Sequence, residues 1–475
     1  MTVISPAATA EVLRQSTVPG SPPLRKLFGT DGIRGVANSE LSPAMALDLG
    51  AAAAHVLLET RRQERCEVIV GRDPRISGDL LGAALSAGFC SQGVDVLDIG
   101  ILPTPGIAYL TRTRGAAAGV VISASHNPLQ DNGIKFFGPD GSKLADSVEA
   151  RIEAMMDQVD ALPRPSGGDV GKIRHDSAPS DAFAEYLIGT CGSTRLDGLR
   201  LVVDCANGSA SFLAAPVLER LGAEVHLLSA NPNGLNINDD CGSLHPEHMA
   251  AEVLRLGCDA GLAFDGDADR VILADNQGRI FDGDRVLCMA GIYLRERGEL
   301  PGSVVVGTVM SNLGLEQALA RHGVTLIRAA VGDRYVSEQM ALHGATIGGE
   351  KSGHILFHHI STAGDGLLTG LQVLCIARRT GRSLADWADA MQELPQKLVN
   401  VRVRERDGWE LIPEIAAALH HAEHRLEGTG RILVRPSGTE KMIRVMAEGP
   451  DTAEVEELVA LVADAIRLKL GIPAA

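Results

Sequence analysis

The sequence predicts an α/β protein in which three tandem related mixed α/β domains and a smaller C-terminal α+β domain surround a central cleft. Two observations lead to this prediction. The chain has 475 residues, whereas single domains usually contain about 100–200. A strand, helix, strand rhythm also occurs three times before the pattern changes near the end of the chain.

The repeated units begin with runs of β-branched residues. In the first unit, a strand after Cys66 leads through an Ala/Leu-rich helical stretch to a second strand at Val94. Equivalent patterns start at Leu199 and at Ser303. Three similar α/β units in tandem are the most economical interpretation of this recurrence.

The last part of the chain has a different pattern. Strands starting near Lys397 and Gly430 alternate with helical stretches, which is typical of a small α+β domain. Polar segments at 163–179 and 394–397 are expected to be linkers.

Composition and charge argue against nucleic-acid-binding, secreted and membrane proteins. A net charge of -16 and an aromatic content of 3% disfavour nucleic acid as a partner. The N-terminus lacks a secretory signal and no long apolar run follows, so we expect a cytoplasmic protein with no membrane contact. The eight cysteines form no CxxC pair and are expected to be buried apolar residues.

Ser125 lies in a polar turn that follows an apolar strand and stops at Pro128. Such a turn presents a hydroxyl to a cleft. No GxSxG elbow or catalytic triad accompanies this serine, so the motif alone leaves both catalysis and an ordinary turn open.

Three carboxylates alternate within residues 265–269, directly after the apolar segment 260–264. They repel one another unless a cation neutralises them. An EF-hand loop is excluded, because its required Gly and Glu positions hold Arg270 and Asn276. A small number of hard oxygen ligands predicts a Mg²⁺ site. The alternative is an acidic surface loop that binds no metal.

Two further glycine-containing loops carry polar side chains. Residues 348–354 lack the GxxxxGK[ST] spacing of an ATP-binding loop, and their carboxylate, hydroxyl and imidazole suit a polyol such as a sugar. Residues 435–440 offer an arginine, two hydroxyls and a glycine, which suit a phosphate dianion, although a simple turn is the alternative.

Other motifs are less specific. The glycine-rich segment 28–35 contains one arginine and is ambiguous by itself. His420 and His424 have helical i,i+4 spacing but lack the HExxH order, so a solvated helix face is the preferred interpretation.

Taken together and in this order, the motifs resemble the α-D-phosphohexomutase superfamily. Its members have three related α/β domains and a different fourth domain around one deep cleft. The resemblance implies a phosphoserine enzyme that moves phosphate between two positions of a hexose through a 1,6-bisphosphate intermediate. The implied catalytic residues are Ser125, Lys135, His126, Arg270, Arg34 and His354; the implied substrate-binding residues are Glu350, Ser352, Arg435, Ser437, Gly438 and Thr439; the implied metal ligands are Ser125, Asp265, Asp267 and Asp269.

Within the superfamily, the segments at 28–35, 122–128 and 234–243 look like the bacterial branch that acts on glucosamine phosphate. The resemblance then implies interconversion of glucosamine 6-phosphate and glucosamine 1-phosphate for UDP-N-acetylglucosamine synthesis. The implied cofactors are Mg²⁺ and, as activator, glucosamine 1,6-bisphosphate or glucose 1,6-bisphosphate. The partner is a small-molecule sugar phosphate, and a homodimer is compatible with the sequence.

Two alternatives stay open. One is a phosphomannomutase/phosphoglucomutase acting on a neutral hexose. The other is an inactive sugar-phosphate or cation-binding protein, which the intact Ser125 and aspartates disfavour. Lys351, inside the predicted sugar loop, would oppose a substrate amine if its side chain pointed inward.

The expected organisation follows from the motifs. A disordered N-terminal tail covers 1–24, and α/β domain I with the phosphoserine loop covers 25–178. Domain II with the metal-binding loop covers 179–282, domain III with the sugar-binding loop covers 283–397, and the α+β domain IV with the phosphate-binding loop covers 398–475.

Overall fold

A computed structural model describes residues 27–29, 31–60, 66–437 and 441–472. The predicted tail at 1–24 and the residues Gly438 and Thr439 lie outside the described residues. Four sheets organise the chain, and they confirm the predicted fold class of three related mixed α/β units followed by a smaller one. No helix in the described part of the chain is both long enough and apolar enough to cross a membrane.

The first unit contains a six-stranded sheet in the order β1-β5-β4-β2-β3-β6. Its strands are β1 (Ile33–Val36), β2 (Glu67–Arg72), β3 (Asp95–Ile101), β4 (Ala118–Ile122), β5 (Asp131–Phe137) and β6 (Ile173–His175), and its helices are α1 (Pro43–Thr60), α2 (Ser77–Ser91), α3 (Thr104–Arg114) and α4 (Asp146–Met156).

The second unit contains a five-stranded sheet in the order β11-β10-β9-β7-β8. Its strands are β7 (Arg200–Asp204), β8 (Glu224–Leu228), β9 (Ala260–Phe264), β10 (Val271–Asp275) and β11 (Ile280–Phe281), and its helices are α5 (Pro179–Thr190), α6 (Ala214–Arg220) and α7 (Pro246–Leu256).

The third unit contains a four-stranded sheet in the order β13-β12-β14-β15. Its strands are β12 (Val304–Thr308), β13 (Thr325–Ala329), β14 (Ile347–Gly349) and β15 (Ile355–Phe357), and its helices are α8 (Gly283–Glu296), α9 (Leu313–Arg321), α10 (Asp333–His343), α11 (Gly366–Thr380) and α12 (Leu384–Ala388).

The fourth unit is an antiparallel three-stranded sheet in the order β16-β18-β17, covered by two helices. Its elements are β16 (Gln396–Arg402), α13 (Pro413–Leu426), β17 (Arg431–Pro436), β18 (Met442–Glu448) and α14 (Thr452–Leu470).

The first three units share one topology. In each, a parallel trio of strands ends in an antiparallel hairpin: β4 with β5, β9 with β10, and β14 with β15. The hairpin loops are therefore equivalent, and we name them by their polar residues. They are the serine loop (123–130), the aspartate loop (265–270) and the glutamate loop (350–354).

Apolar packing holds the units together. One contiguous core contains buried side chains from the first three units, including Ile107, Phe264 and Trp387. The fourth unit has its own core around α14 and is tied to the third by Arg431, which donates to the carbonyl oxygens of Val309 (2.9 Å) and Ser311 (2.8 Å). The serine, aspartate and glutamate loops are therefore attached to strands that contribute side chains to the shared core.

One of the two segments expected to be linkers contains a β-strand. The polar segment 163–179 contains β6, which pairs in parallel with β3 and extends the first sheet. All three residues of β6 are exposed, so no apolar pattern marked this strand in the sequence.

Candidate active site

Ser125 lies at the tip of the serine loop in a left-handed backbone conformation with φ 55°. This conformation is uncommon for a residue with a side chain and is kept only where the surroundings hold it. The Ser125 hydroxyl donates to Oδ2 of Asp265 over 2.5 Å and lies 3.2 Å from Nδ1 of His126. The side chain is 1% exposed. The structure therefore brings the predicted serine directly to the first predicted aspartate.

The three aspartates form one buried cluster. Asp265, Asp267 and Asp269 each offer a carboxylate oxygen, and these oxygens lie within 4.8 Å of one another. Oδ1 of Asp267 and Oδ1 of Asp269 are buried without a hydrogen-bond partner among the described residues. Burial and the neighbouring carboxylates of Asp269 and Asp267 raise the pKa of Asp265 well above its usual range.

These features fit a bound cation. Three carboxylates this close repel one another unless more positive charge is present, and two of their buried oxygens have no hydrogen-bond partner among the described residues. Three carboxylate oxygens with a serine oxygen beside them match the hard ligands that Mg²⁺ accepts.

Two protein cations flank the cluster. Nζ of Lys135 lies 3.0 Å from Oδ2 of Asp267 and 3.7 Å from Oδ2 of Asp269. Burial would lower the pKa of Lys135, but these two carboxylates outweigh it and raise the pKa above its usual range. Nε of Arg270 lies 3.7 Å from Oδ1 of Asp269. Both side chains are therefore cations beside the serine.

The two predicted histidines have opposite environments. Burial, with Arg270 and Arg34 nearby, lowers the pKa of His126 to about 4. Burial also acts to lower the pKa of His354, but Asp269 and Asp333 outweigh it and raise the pKa to about 9. His126 is thus neutral near pH 7, whereas His354 is a cation.

The glutamate loop is attached to the aspartate loop. The backbone N–H of Val271 donates to the carbonyl oxygen of Gly353 over 3.2 Å. Oε1 of Glu350 accepts from the backbone N–H of Gly332 (2.9 Å), and Oε2 accepts from the hydroxyl of Ser352 (3.4 Å). The predicted sugar-binding pair is therefore held close together beside the aspartates.

Lys351 points away from this pair. Its Nζ lies 2.7 Å from Oε1 of Glu393 and 3.7 Å from Oδ2 of Asp282. Its charge is neutralised on the far side of the glutamate loop, which removes the expected conflict with a substrate amine.

Arg34 lies beside the serine loop. Its Nη2 contacts Oδ2 of Asp31 at 3.0 Å, and its Nη1 donates to Oδ1 of Asn127 at 3.5 Å. Arg435 lies on β17 of the fourth sheet and Ser437 follows that strand, where the Ser437 backbone N–H donates to the carbonyl oxygen of Met442 over 2.8 Å. Burial and the neighbouring guanidinium of Arg444 lower the pKa of Arg435, and the carboxylate of Glu350 partly opposes them.

The structure also places residues at the site that the sequence did not indicate. Arg444 lies directly opposite Arg435, and the Nε atoms of both are buried without a partner among the described residues. Lys143 bridges Asp31 (2.6 Å) and Asp333 (2.7 Å), joining the first unit to the third. A cavity of about 330 Å³ adjoins this bridge and is lined by Lys135 and residues of both units. The signal available in the sequence for Arg444 was a charged residue between the apolar Ile443 and Val445 near the start of β18.

Comparison with known proteins agrees with this geometry. Family models described as phosphoglucomutase/phosphomannomutase α/β/α domains I, II and III and C-terminal domain match residues 25–162, 181–278, 282–394 and 398–465. The chain belongs to the phosphoglucomutase/phosphomannomutase family. These matches also confirm the superfamily resemblance seen in the motifs.

Individual members of the phosphoglucomutase/phosphomannomutase family are similar over nearly the whole chain. The phosphoglucosamine mutase of Desulforamulus reducens is 51% identical over 444 residues, covering 93% of this chain and 99% of the relative. That of Moorella thermoacetica is 52% identical, covering 92% and 98%. The crystal structure of a family protein from Burkholderia thailandensis has a TM-score of 0.76 at 24% identity and covers 93% of this chain and 99% of its own.

Gly266 provides a test of how tightly the serine and aspartate loops meet. A Cβ at this position would lie 2.7 Å from the carbonyl oxygen of Ser125 and 2.7 Å from Cδ1 of Ile237. We expect Gly266→Ala to destabilise the protein by about 1–3 kcal/mol, because backbone must move to admit the methyl group. Thermal unfolding measures the effect. Gly189→Ala, where a Cβ meets nothing within 4 Å, is the matched control and should not lower the melting temperature. Equal melting temperatures for the two variants would contradict the close approach.

Proposed function

We propose that this chain interconverts glucosamine 6-phosphate and glucosamine 1-phosphate, with Ser125 as the carrier of the transferred phosphoryl group. The contact that carries the proposal is the 2.5 Å hydrogen bond from the Ser125 hydroxyl to Asp265, at one end of the buried aspartate cluster. The choice of glucosamine as the sugar is supported by the relatives. They are named phosphoglucosamine mutases and share 51% and 52% of their residues with this chain over nearly its whole length.

In the proposed reaction Ser125 starts as a phosphoserine. The Oγ–P bond breaks as a bond from phosphorus to a sugar oxygen forms, and the sugar hydroxyl loses a proton while Ser125 Oγ gains one. A sugar 1,6-bisphosphate results. After the bisphosphate turns over in the cleft, its other phosphoryl group returns to Ser125 by the reverse of the same step.

The aspartate cluster is proposed to hold Mg²⁺ through Asp265, Asp267 and Asp269, with an oxygen of the Ser125 phosphate as a further ligand. When bound, the metal withdraws negative charge from the phosphoryl group and so promotes its transfer. This role explains why three carboxylates are buried beside a serine that has no catalytic base of the triad type.

Lys135 and Arg270 are proposed to stabilise the charge that spreads over the phosphoryl oxygens during transfer. Lys135 is held by a 3.0 Å contact with Asp267, and Arg270 lies 3.7 Å from Asp269. Cations already in place where the charge develops give a larger electrostatic effect than groups that must first reorient.

For the proton, geometry favours His126. Its Nδ1 lies 3.2 Å from the Ser125 oxygen, within hydrogen-bond reach of the proton that this oxygen gains. Lys135 and His354 lie beside carboxylates, at 3.0 Å from Asp267 and 3.6 Å from Asp269, so we do not assign the proton transfer to them.

The remaining predicted residues fit recognition of the substrate. Glu350 and Ser352 are proposed to bind sugar hydroxyls or the amine. Arg435 and Ser437, with Gly438 and Thr439, are proposed to hold the phosphate that does not react. The unpaired Nε atoms of Arg435 and Arg444 support this, because adjacent guanidinium groups are stable only beside an anion. Arg34, next to the serine loop, is proposed to contact the transferring phosphate.

Sugar selectivity tests the assignment. We expect kcat/KM for glucosamine 6-phosphate to exceed that for glucose 6-phosphate and mannose 6-phosphate by about tenfold or more, because a charge-assisted bond from the amine to Glu350 is worth about 1.5–3 kcal/mol. Glu350→Gln should reduce this ratio. Lys351→Met should keep it, since Lys351 pairs with Glu393 away from the site. A wild-type preference for either neutral sugar would instead favour a phosphomannomutase/phosphoglucomutase.

Metal dependence gives a second test. Chelation followed by dialysis should abolish mutase activity, and Mg²⁺ should restore it. Asp267→Asn should raise the Mg²⁺ concentration at half-maximal activity by about tenfold or more, because it removes one of few charged ligands. Asp389→Asn, at an exposed surface ion pair, is the control and should leave that concentration unchanged. Full activity of the metal-free wild-type protein would rule out the role given to the aspartates.

A further inference from the structure

A buried arginine binds the backbone of the serine loop. Arg75 follows β2, and its guanidinium is fully buried. All five N–H groups of a guanidinium can donate, and here every one has an acceptor. Nε donates to Oδ2 of Asp73 (3.0 Å), and the two terminal nitrogens donate to the backbone oxygens of Pro128 (2.6 Å), Asp131 (3.0 Å), Ser125 (3.0 Å) and Asn127 (2.7 Å).

The amide of Ser125 is held through Asp73. Oδ2 of Asp73 accepts from the hydroxyl of Ser123 over 2.6 Å. The oxygen of that hydroxyl in turn accepts from the backbone N–H of Ser125 over 2.9 Å. The Asp73 and Arg75 pair, which is completely buried, therefore fixes both the N–H and the C=O of the serine that we propose to carry phosphate.

A third contact comes from the second unit. Nδ2 of Asn238 donates to the carbonyl oxygens of Ser125 (2.8 Å) and Asn127 (3.1 Å). Asn238 itself is in a left-handed conformation with φ 57°, which asparagine tolerates better than other residues with side chains. The loops are also joined where the backbone N–H of Ile76 donates to the carbonyl oxygen of Gly234 over 2.9 Å.

We propose that Asp73, Arg75 and Asn238 are positioning residues that form a clamp across the first two units and hold Ser125 in its left-handed conformation, so that its oxygen stays directed at Asp265 throughout the reaction. This inference rests on the proposed function. Within the segment 234–243 it assigns Asn238 to the support of the phosphoryl carrier, since the Asn238 amide donates to the serine loop's backbone.

The clamp matters because of the chemistry at Ser125. The same oxygen gives up a phosphoryl group in one half-reaction and accepts one in the other, so a displaced loop slows both. Displacement by about 1 Å can cost about a hundredfold in rate. Neither Arg75 nor Asn238 contacts Glu350, Ser352 or Arg435 in the described residues, so binding of the sugar phosphate does not depend on them.

The test compares matched glycine variants in one loop. Asn238→Gly removes the amide and still permits the left-handed backbone, whereas Asp239→Gly alters an exposed neighbour. With glucosamine 6-phosphate as substrate, we expect Asn238→Gly to lower kcat by about tenfold in both directions with KM within about twofold. Asp239→Gly should match wild type. Asn238→Asp, which keeps the shape but cannot donate, should behave like Asn238→Gly.

Phosphorus NMR of the phosphorylated proteins adds a readout that lower stability alone would not change. The phosphoserine resonance should shift or broaden in Asn238→Gly and stay at its wild-type position in Asp239→Gly. Arg75→Lys, which keeps the charge but loses the fork of donors, should lower kcat further if it folds. If Arg75→Lys does not fold, the Asn238 variants alone test the clamp.

Three outcomes would overturn the clamp: an unchanged kcat in Asn238→Gly, a rise in KM without loss of kcat, or equal losses in Asn238→Gly and Asp239→Gly. Wild-type protein is assayed alongside. If wild type itself is inactive on glucosamine 6-phosphate, the proposed function fails. If wild type is active and the Asn238 variants equal it, only the clamp fails.

Discussion

Mutual repulsion among three buried carboxylates is the constraint around which the rest of the structure is arranged. Asp265, Asp267 and Asp269 converge within 4.8 Å, and such a group is stable only beside positive charge. Lys135 and Arg270 supply part of it, and the proposed Mg²⁺ supplies the remainder. The phosphoryl group that we propose for Ser125 would meet the same positive field, so the arrangement that stabilises the cluster would also activate the group to be transferred.

The fold delivers these residues through one repeated device. Three sheets of the same topology each end in an antiparallel hairpin, and the three hairpin loops carry the serine, the aspartates and the glutamate. Backbone hydrogen bonds then connect these loops. The N–H of Val271, directly after the aspartate loop, donates to the carbonyl oxygen of Gly353 in the glutamate loop. The fourth sheet joins this assembly through Arg431, which donates to backbone carbonyl oxygens of the third unit.

Much of this was predictable from the sequence, because buried parallel strands are continuous apolar runs and the polar loops at their ends stand out against them. Strand β6 was missed, since its exposed residues are recruited by backbone pairing alone. The roles of Arg75 and Asn238 were also missed. Both bind carbonyl oxygens, which every residue possesses, and Asn238 lies 113 residues from Ser125 in the chain. Lys143 and Asp333 likewise meet only after the first and third units pack together.

The most direct measurement of the central claim follows one phosphoryl group. The protein is prepared with radiolabelled phosphate on Ser125, mixed with excess unlabelled glucosamine 6-phosphate, and quenched within a single turnover. The account predicts that the label leaves Ser125 and appears in sugar bisphosphate and then in sugar monophosphate, and that Ser125→Ala neither holds label nor turns over. Label that stays on Ser125 through many turnovers would contradict it.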